Sequence, residues 1–192
     1  MNFRKFKAPY IPREEVWKKA DQFRSKYWSS GVLPVNVDEI IEFDLCLTIR
    51  TVSSLRESAD IDALLLGDLQ TIVVDRDDYM DNRMQNRMRF NLAHERGHYV
   101  LHQNVFKEIQ YTSVNDWIKV MEQIPDDQYG WIEQQAYEFA GRLLVPKDQL
   151  ETTFNTHIKK AESPGFSDWD TSGDVALEYV ASAICQHRIN LT

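Results

Sequence analysis

Arg87–His102 reads RMRFNLAHERGHYVLH, and the reading of this stretch decides the fold. Residues four apart on a helix share a face. His94 and His98, inside His94-Glu95-Arg96-Gly97-His98, therefore point the same way, and the run matches H-E-x-x-H. Met88, Phe90, Leu92, Ala93, Tyr99, Val100 and Leu101 leave little of this helix polar. A helix apolar nearly all round belongs in a core. Two imidazoles and a carboxylate are costly to bury there without partners. One metal ion would satisfy all three. Zinc catalysis needs this set: two neutral nitrogen ligands, an open coordination position and a carboxylate near the bound water. The plainer alternatives are a solvated helix or core histidines bonded to backbone. The apolar flanks speak against the first.

Working outward, the segment before the motif reads as a small sheet. Leu45 to Val52 alternates, with Leu45, Leu47 and Ile49 on one face and Cys46, Thr48 and Arg50 on the other. That is the pattern of a half-buried strand. Ala63–Leu66 and Leu69–Asp75 are two further strand-like runs, and Gly67-Asp68 between them suits a two-residue hairpin loop. An acidic loop, Asp75 to Asp78, should lead into the motif helix from about Asn82. Upstream, Val16, Ala20, Phe23 and Tyr27 form a helical stripe across residues 13–29, with Gly31 and Pro34 beyond it. A short helix near Asp38 carries Ile40 and Ile41.

Downstream, Asn104 to Gln128 reads mostly as connection, with a short helix bearing Val114, Trp117, Ile118 and Met121. Tyr129–Val145 is a strong helix halted by Pro146, and another covers Lys147–Lys160. Ser163-Pro164-Gly165 marks a turn, and a last helix runs from about Asp174 to Ile189. Helices, a three-stranded sheet, then helices make an α+β fold, mostly helical, with the sheet beside the motif helix. The expectation is one domain over residues 1–192, with a core at about 31–160 and the first and last helices packed on it.

The bulk numbers narrow the function. The chain has 192 residues, 43% of them hydrophobic, and a net charge of −8. Residues 1–30 hold eight Lys/Arg against three Asp/Glu, a net of +5 that leaves −13 for the rest. Such a body is a poor binder of nucleic acid, which needs a basic footprint. No apolar run is long enough to span a membrane, and MNFRKFKAPYIP lacks an apolar signal segment. A cytoplasmic protein is expected. Cys46 and Cys185 form no C-x-x-C and read as two reduced thiols.

The motif supplies two ligands, and a catalytic zinc usually takes a third. His102 lies eight residues from His94, about 12 Å along a straight helix, too far to meet the same ion. The H-E-x-x-H-x-x-G-x-x-H extension fails, with Leu101 and Asn104 at its last two positions. The Tyr129–Val145 helix offers Glu133, Gln135 and Glu138. Glu133 shares a face with Ala136, Tyr137, Ala140 and Leu144, and the alanines would permit close approach to the motif helix. Glu138 stands about 140° round from it. Spacing alone leaves Glu133 open between third ligand and surface carboxylate.

RMRFNLAHERGHYVLH and IEQQAYEFAGRLLVP together resemble the ImmA/IrrE metallopeptidase family, in which RF-x-x-AHE-x-GH-x-x-LH is followed by E-x-x-A-N-x-FA-x-x-LL-x-P. Arg89-Phe90, Ala93-His94-Glu95, Gly97-His98 and Leu101-His102 match. So do Glu133, Ala136, Phe139-Ala140, Leu143-Leu144 and Pro146. The resemblance covers residues 89–146. It implies zinc held by His94, His98 and Glu133, a gluzincin-like ligand set, and Glu95 as catalytic base. It also implies a regulatory protease that cuts a helix-turn-helix repressor in a stress or mobile-element response. Tyr137 stands where the family has Asn, Arg96 replaces an apolar residue, and Asn91 a Thr or Ser.

On this reading Glu95 takes a proton from the attacking water and passes it to the leaving amine. Tyr79, Tyr99, Tyr111, Tyr129 and His102 are candidates for stabilising the oxyanion, with His102 favoured as structural. His157 and His187 read as ordinary helix residues. Rival readings are a metal-bearing module that sequesters a regulator uncut, and a purely structural metal site. The intact Glu95 favours the enzyme.

Overall fold

A computed structural model describes residues 3–109, 111–161 and 178 of the chain. The fold is α+β and mostly helical, with one small sheet. Of the helix expected over 174–189, with His187 and Cys185, only residue 178 is described, and the turn expected at Ser163-Pro164-Gly165 lies outside the described residues. Cys46 is exposed and unbridged.

Helix α1, Arg13–Tyr27, starts after Pro12 and carries Glu14 and Glu15 in its first turn, where carboxylates meet the positive end of the helix dipole. It buries Val16, Ala20 and Phe23, the expected stripe. Helix α2, Val37–Glu39, opens on an Asn36 cap and runs into a wide turn, Ile40–Asp44. Ile40 and Ile41 are fully buried there.

Strand β1, Thr48–Val52, is half buried, as its alternation requires, but it is shorter than expected. Cys46 takes a left-handed conformation, φ 51°, which ends any extended run at that point. Helix α3, Leu55–Ala59, then leads to β2, Ala63–Leu65, and β3, Thr71–Asp75. The order is β1-β3-β2. β1 runs parallel to β3, with Ile49 opposite Ile72, and β2 runs antiparallel to it, with Leu64 opposite Val73. Ile72, Val73 and Val74 are inaccessible on both faces, as befits a central strand.

The β2–β3 loop differs from the two-residue hairpin expected at Gly67-Asp68. Leu66 N–H donates to the Thr71 carbonyl at 2.8 Å, so the loop spans residues 67–70. Leu69 adopts φ 56°. Asp68 organises the loop by accepting from the N–H groups of Gln70 and Thr71 and from the Thr71 hydroxyl.

The acidic segment after β3 is not a loop. It forms α4, Arg76–Met80, whose Asp77 and Asp78 N–H groups are capped by the Asp75 carboxylate. A 3-10 turn at Asn82–Met84 feeds the motif helix α5, Gln85–Leu101. Residues 103–109, expected as connection, form α6, Gln103–Ile109, which buries Val105, Phe106 and Ile109. Helix α7, Val114–Met121, is capped by Ser113. Helix α8, Asp126–Leu144, and α9, Lys147–Ala161, flank Pro146 as expected.

Helix α8 lies against both α5 and α1. Arg24 of α1 donates to the Arg142 carbonyl at 2.8 Å, satisfying an end group of α8, and Arg142 pairs with Asp21 at 2.6 Å. None of the described helices is long and apolar enough to cross a membrane.

Candidate metal centre

The site forms where α5, α8 and β2 meet. Seven consecutive residues of α5, Leu92–His98, are buried, so the helix is enclosed all round, as its apolar flanks require. The α5–α8 crossing is close because Gly97 faces Ala136 with no side chain between them. A Cβ on Gly97 would lie 3.0 Å from the Ala136 Cα.

That approach brings three candidate ligand atoms together. His94 Nε2 lies 3.0 Å from His98 Nε2. Glu133 Oε2 is 3.1 Å from His94 Nε2, and its Oε1 is 3.2 Å from His98 Nε2. A tetrahedral zinc with ligands about 2.0–2.1 Å away would space its ligand atoms about 3.3–3.4 Å apart. The triangle therefore has close to the dimensions such an ion needs. His94, Glu95 and His98 likewise offer ligand atoms all within 4.8 Å of one another. Two imidazoles and a carboxylate, converging and largely dry, make a donor set that could hold zinc.

Burial alone would raise the Glu133 carboxyl. The hydrogen bonds and charge of His94 and His98 outweigh it and hold Glu133 well below the usual carboxylate range. Burial pulls His98 down, but Glu133 overcomes that and raises it. Glu138, the alternative on α8, faces away from the site. It accepts from Trp17 Nε1 at 2.9 Å and pairs with Arg13 at 3.1 Å, both on α1.

Glu95 points across to the sheet. Its Oε2 accepts from the backbone N–H of Leu65 at 2.6 Å, which leaves Oε1 outside that bond. β2 is an edge strand, so this N–H has no ladder partner to compete for it. Glu95, His94, His98 and Glu133 line one cavity of about 160 Å³. The rest of its lining is largely apolar and includes Phe106, Ile109, Trp117, Met121 and Ile132.

The oxyanion candidates separate. The Tyr111 hydroxyl donates to the Leu65 carbonyl at 2.6 Å and is spent there. His102 has both ring nitrogens engaged, with His98 and Gln135. Tyr79 and Tyr99 do not line the cavity, and Tyr99 lies under the Arg96 guanidinium, 3.7 Å from its ring centroid. Tyr129 lines the cavity and hydrogen-bonds Glu133; burial first, then the Glu133 charge and that bond, raise its hydroxyl and keep it a donor. Tyr137, read in the sequence as sharing the Glu133 face and as a departure from the family's Asn, packs its ring on His94 with centroids 4.5 Å apart. Arg96, a second such departure, is buried over Tyr99 and Phe23, and burial lowers it to about 10.

The family model of the IrrE N-terminal-like domain, Peptidase M78, matches residues 79–182, more than half of the chain. The chain belongs to this family. Membership makes it a metallopeptidase, with a protein or peptide as substrate, and the M78 match spans α5 and α8, the two helices that build the centre. Among curated proteins and solved structures nothing matches the chain.

Proposed function

We propose that this M78 chain is a zinc-dependent endopeptidase, with His94, His98 and Glu133 as metal ligands and Glu95 as general base. The observation that carries the reading is the convergence of three ligand atoms 3.0–3.2 Å apart beside a carboxylate that shares their cavity. Bound zinc supplies a Lewis acid and lowers the pKa of a water toward neutrality. The Leu65 N–H holds one Glu95 oxygen and aims the other. That oxygen takes the proton as water adds to the scissile carbonyl, then delivers it to the departing amine. Tyr129 is the hydroxyl assigned to the developing oxyanion. Phe106, Ile109 and Trp117 exclude water from one side and offer an apolar bed for a substrate side chain.

The substrate in this reading is a helix-turn-helix repressor, so the protein acts as a regulatory switch in the cytoplasm. Support comes from the ImmA/IrrE resemblance and from charge: the acidic body complements a basic DNA-binding domain. The test is co-expression with repressors encoded beside the gene, with wild type and Glu95→Gln in parallel. Cleavage by wild type alone, with zinc retained in both, supports the reading. Equal relief of repression with the repressor uncut would replace it with sequestration.

A further inference from the structure

Behind the candidate ligands runs a chain of hydrogen bonds that leaves the active-site helix and ends on the N-terminal segment. His98 Nδ1 lies 3.2 Å from His102 Nδ1. His102 Nε2 lies 3.0 Å from Gln135 Oε1. Gln135 Nε2 donates to the Pro9 carbonyl at 3.0 Å. Imidazoles and amides can each face a partner either way round, so none of the first three groups fixes the direction of the chain. The Pro9 carbonyl does, because it can only accept.

Proton placement then follows link by link. Gln135 must turn its NH₂ to Pro9 and its oxygen to His102. His102 must carry its proton on Nε2 to donate to that oxygen. Its Nδ1 is then a lone pair, because a second proton would make an imidazolium, and His102 is almost wholly buried with no ion-pair partner among the described residues. His98 must therefore donate from Nδ1, so the proton on its Nε2, shared with Glu133 in the metal-free protein, is the one a metal ion would displace, and the lone pair so freed faces His94 and Glu133. His94 has no such support: its Nδ1 finds no partner among the described residues.

We infer that Gln135 and His102 are positioning residues that hold His98 in its metal-binding tautomer, with the Pro9 carbonyl as the fixed end of the relay. Pro9 lies outside the residues the family model matches, so the N-terminal segment of this chain completes its metal centre. The segment is itself pinned to α8, where the Ala8 N–H donates to Gln128 Oε1 at 2.9 Å. The inference rests on the zinc reading above.

Gln135→Leu and Gln135→Glu distinguish a relay from mere packing. Glutamate keeps an acceptor toward His102, whereas leucine keeps only bulk. The measurement is zinc affinity of the full-length protein by competition with a chromophoric chelator, beside the melting temperature of each zinc-free variant. Gln135→Leu should weaken zinc about 10–100-fold, the usual cost of losing such support. Gln135→Glu should bind zinc close to wild type even though a buried acid lowers its melting temperature. Wild-type affinity in Gln135→Leu, or equal loss in both variants, overturns the relay. Wild type that binds no zinc overturns the metal reading and the relay together.

Discussion

Gly97 and Ala136 are the point of contact between α5 and α8: a Cβ on Gly97 would stand 3.0 Å from the Ala136 Cα and 3.1 Å from its carbonyl oxygen. Both atoms are helix backbone and cannot step aside. Gly97→Ala must therefore push the helices apart, and the His94–His98–Glu133 triangle spans that gap. Overpacking of this kind costs about 1–3 kcal/mol, against a helix-propensity gain of about 1 kcal/mol. The expected result is a net loss of stability with weakened zinc binding. Gly130 and Gly141, also in α8, have open space where a Cβ would go. Alanine at either should stabilise by about 0.5–1 kcal/mol. Urea unfolding of the three variants checks the contrast, and a stabilised Gly97→Ala that keeps its zinc would refute the close crossing.

Glu133→Ala should abolish stoichiometric zinc, while Glu138→Ala should leave it intact and only loosen α1 through Trp17 and Arg13. Metal analysis of the purified variants decides the matter. Zinc lost from Glu138→Ala and kept by Glu133→Ala would mean that α8 presents its other face.

The motif helix was legible because it rests on its own periodicity, whereas spacing left Glu133 open and only the family resemblance favoured it. The alanines at 136 and 140 even announced a close approach. Helix α6 was not legible. Its seven residues offer only Val105, Phe106 and Ile109 as apolar positions, too few turns for a period to stand out, and packing over the cavity decides its conformation. The β2–β3 loop misled because Gly67-Asp68 imitates a tight turn, whereas the register is set by the Leu66–Thr71 bond beyond it. Gln135 stood on the inspected helix, but its partner Pro9 is 126 residues away, and no local pattern records such a pairing.

Zinc should stabilise the whole fold, because its candidate ligands sit in a buried helix and on the helix packed against it. Free zinc at a hundred times Kd adds about 2.7 kcal/mol, which is about 5–10 °C in melting temperature for a chain of this size. A chelator should remove that increment from wild type and change nothing in His94→Ala or His98→Ala. A chelator effect that survives in both variants would place the metal elsewhere.

Asp75 should contribute a pH-dependent part of the stability. Burial raises its carboxyl, but the backbone N–H donors of Arg56, Asp78 and Asp77 prevail and hold it below its ordinary value of 3.8. The native state thus binds this proton less readily than the unfolded chain. The contribution is complete above the ordinary value and is lost as the pH falls through the lower native one. Asp75→Asn should cost about 1 kcal/mol at neutral pH, the extra worth of hydrogen bonds to a charged acceptor, because the amide oxygen of Asn still caps, and its deficit should shrink toward zero in acid. A deficit that does not change with pH would show that the carboxylate's charge is not what the N–H groups hold.

The hydroxyls of Tyr111 and Tyr129 should separate stability from chemistry. Tyr111→Phe leaves the Leu65 carbonyl without its donor, and an orphaned buried acceptor costs about 1–3 kcal/mol. Leu65 is also the residue whose N–H holds Glu95, so turnover should fall only as far as β2 shifts. Tyr129→Phe removes a donor that lines the cavity beside Glu133. It also takes a hydrogen bond from Glu133, so the zinc-free protein should lose about 0.5–1.5 kcal/mol, less than Tyr111→Phe. Its kcat should drop about 10²–10³-fold, the usual cost of one oxyanion donor, with KM little altered, because the bond strengthens only as charge develops on the oxygen. Matched kinetics and melting curves on the two variants, with the cleaved repressor as substrate, test the division. Full kcat in Tyr129→Phe would remove it from the chemistry and leave Tyr137, whose ring lies on His94, as the next hydroxyl to replace.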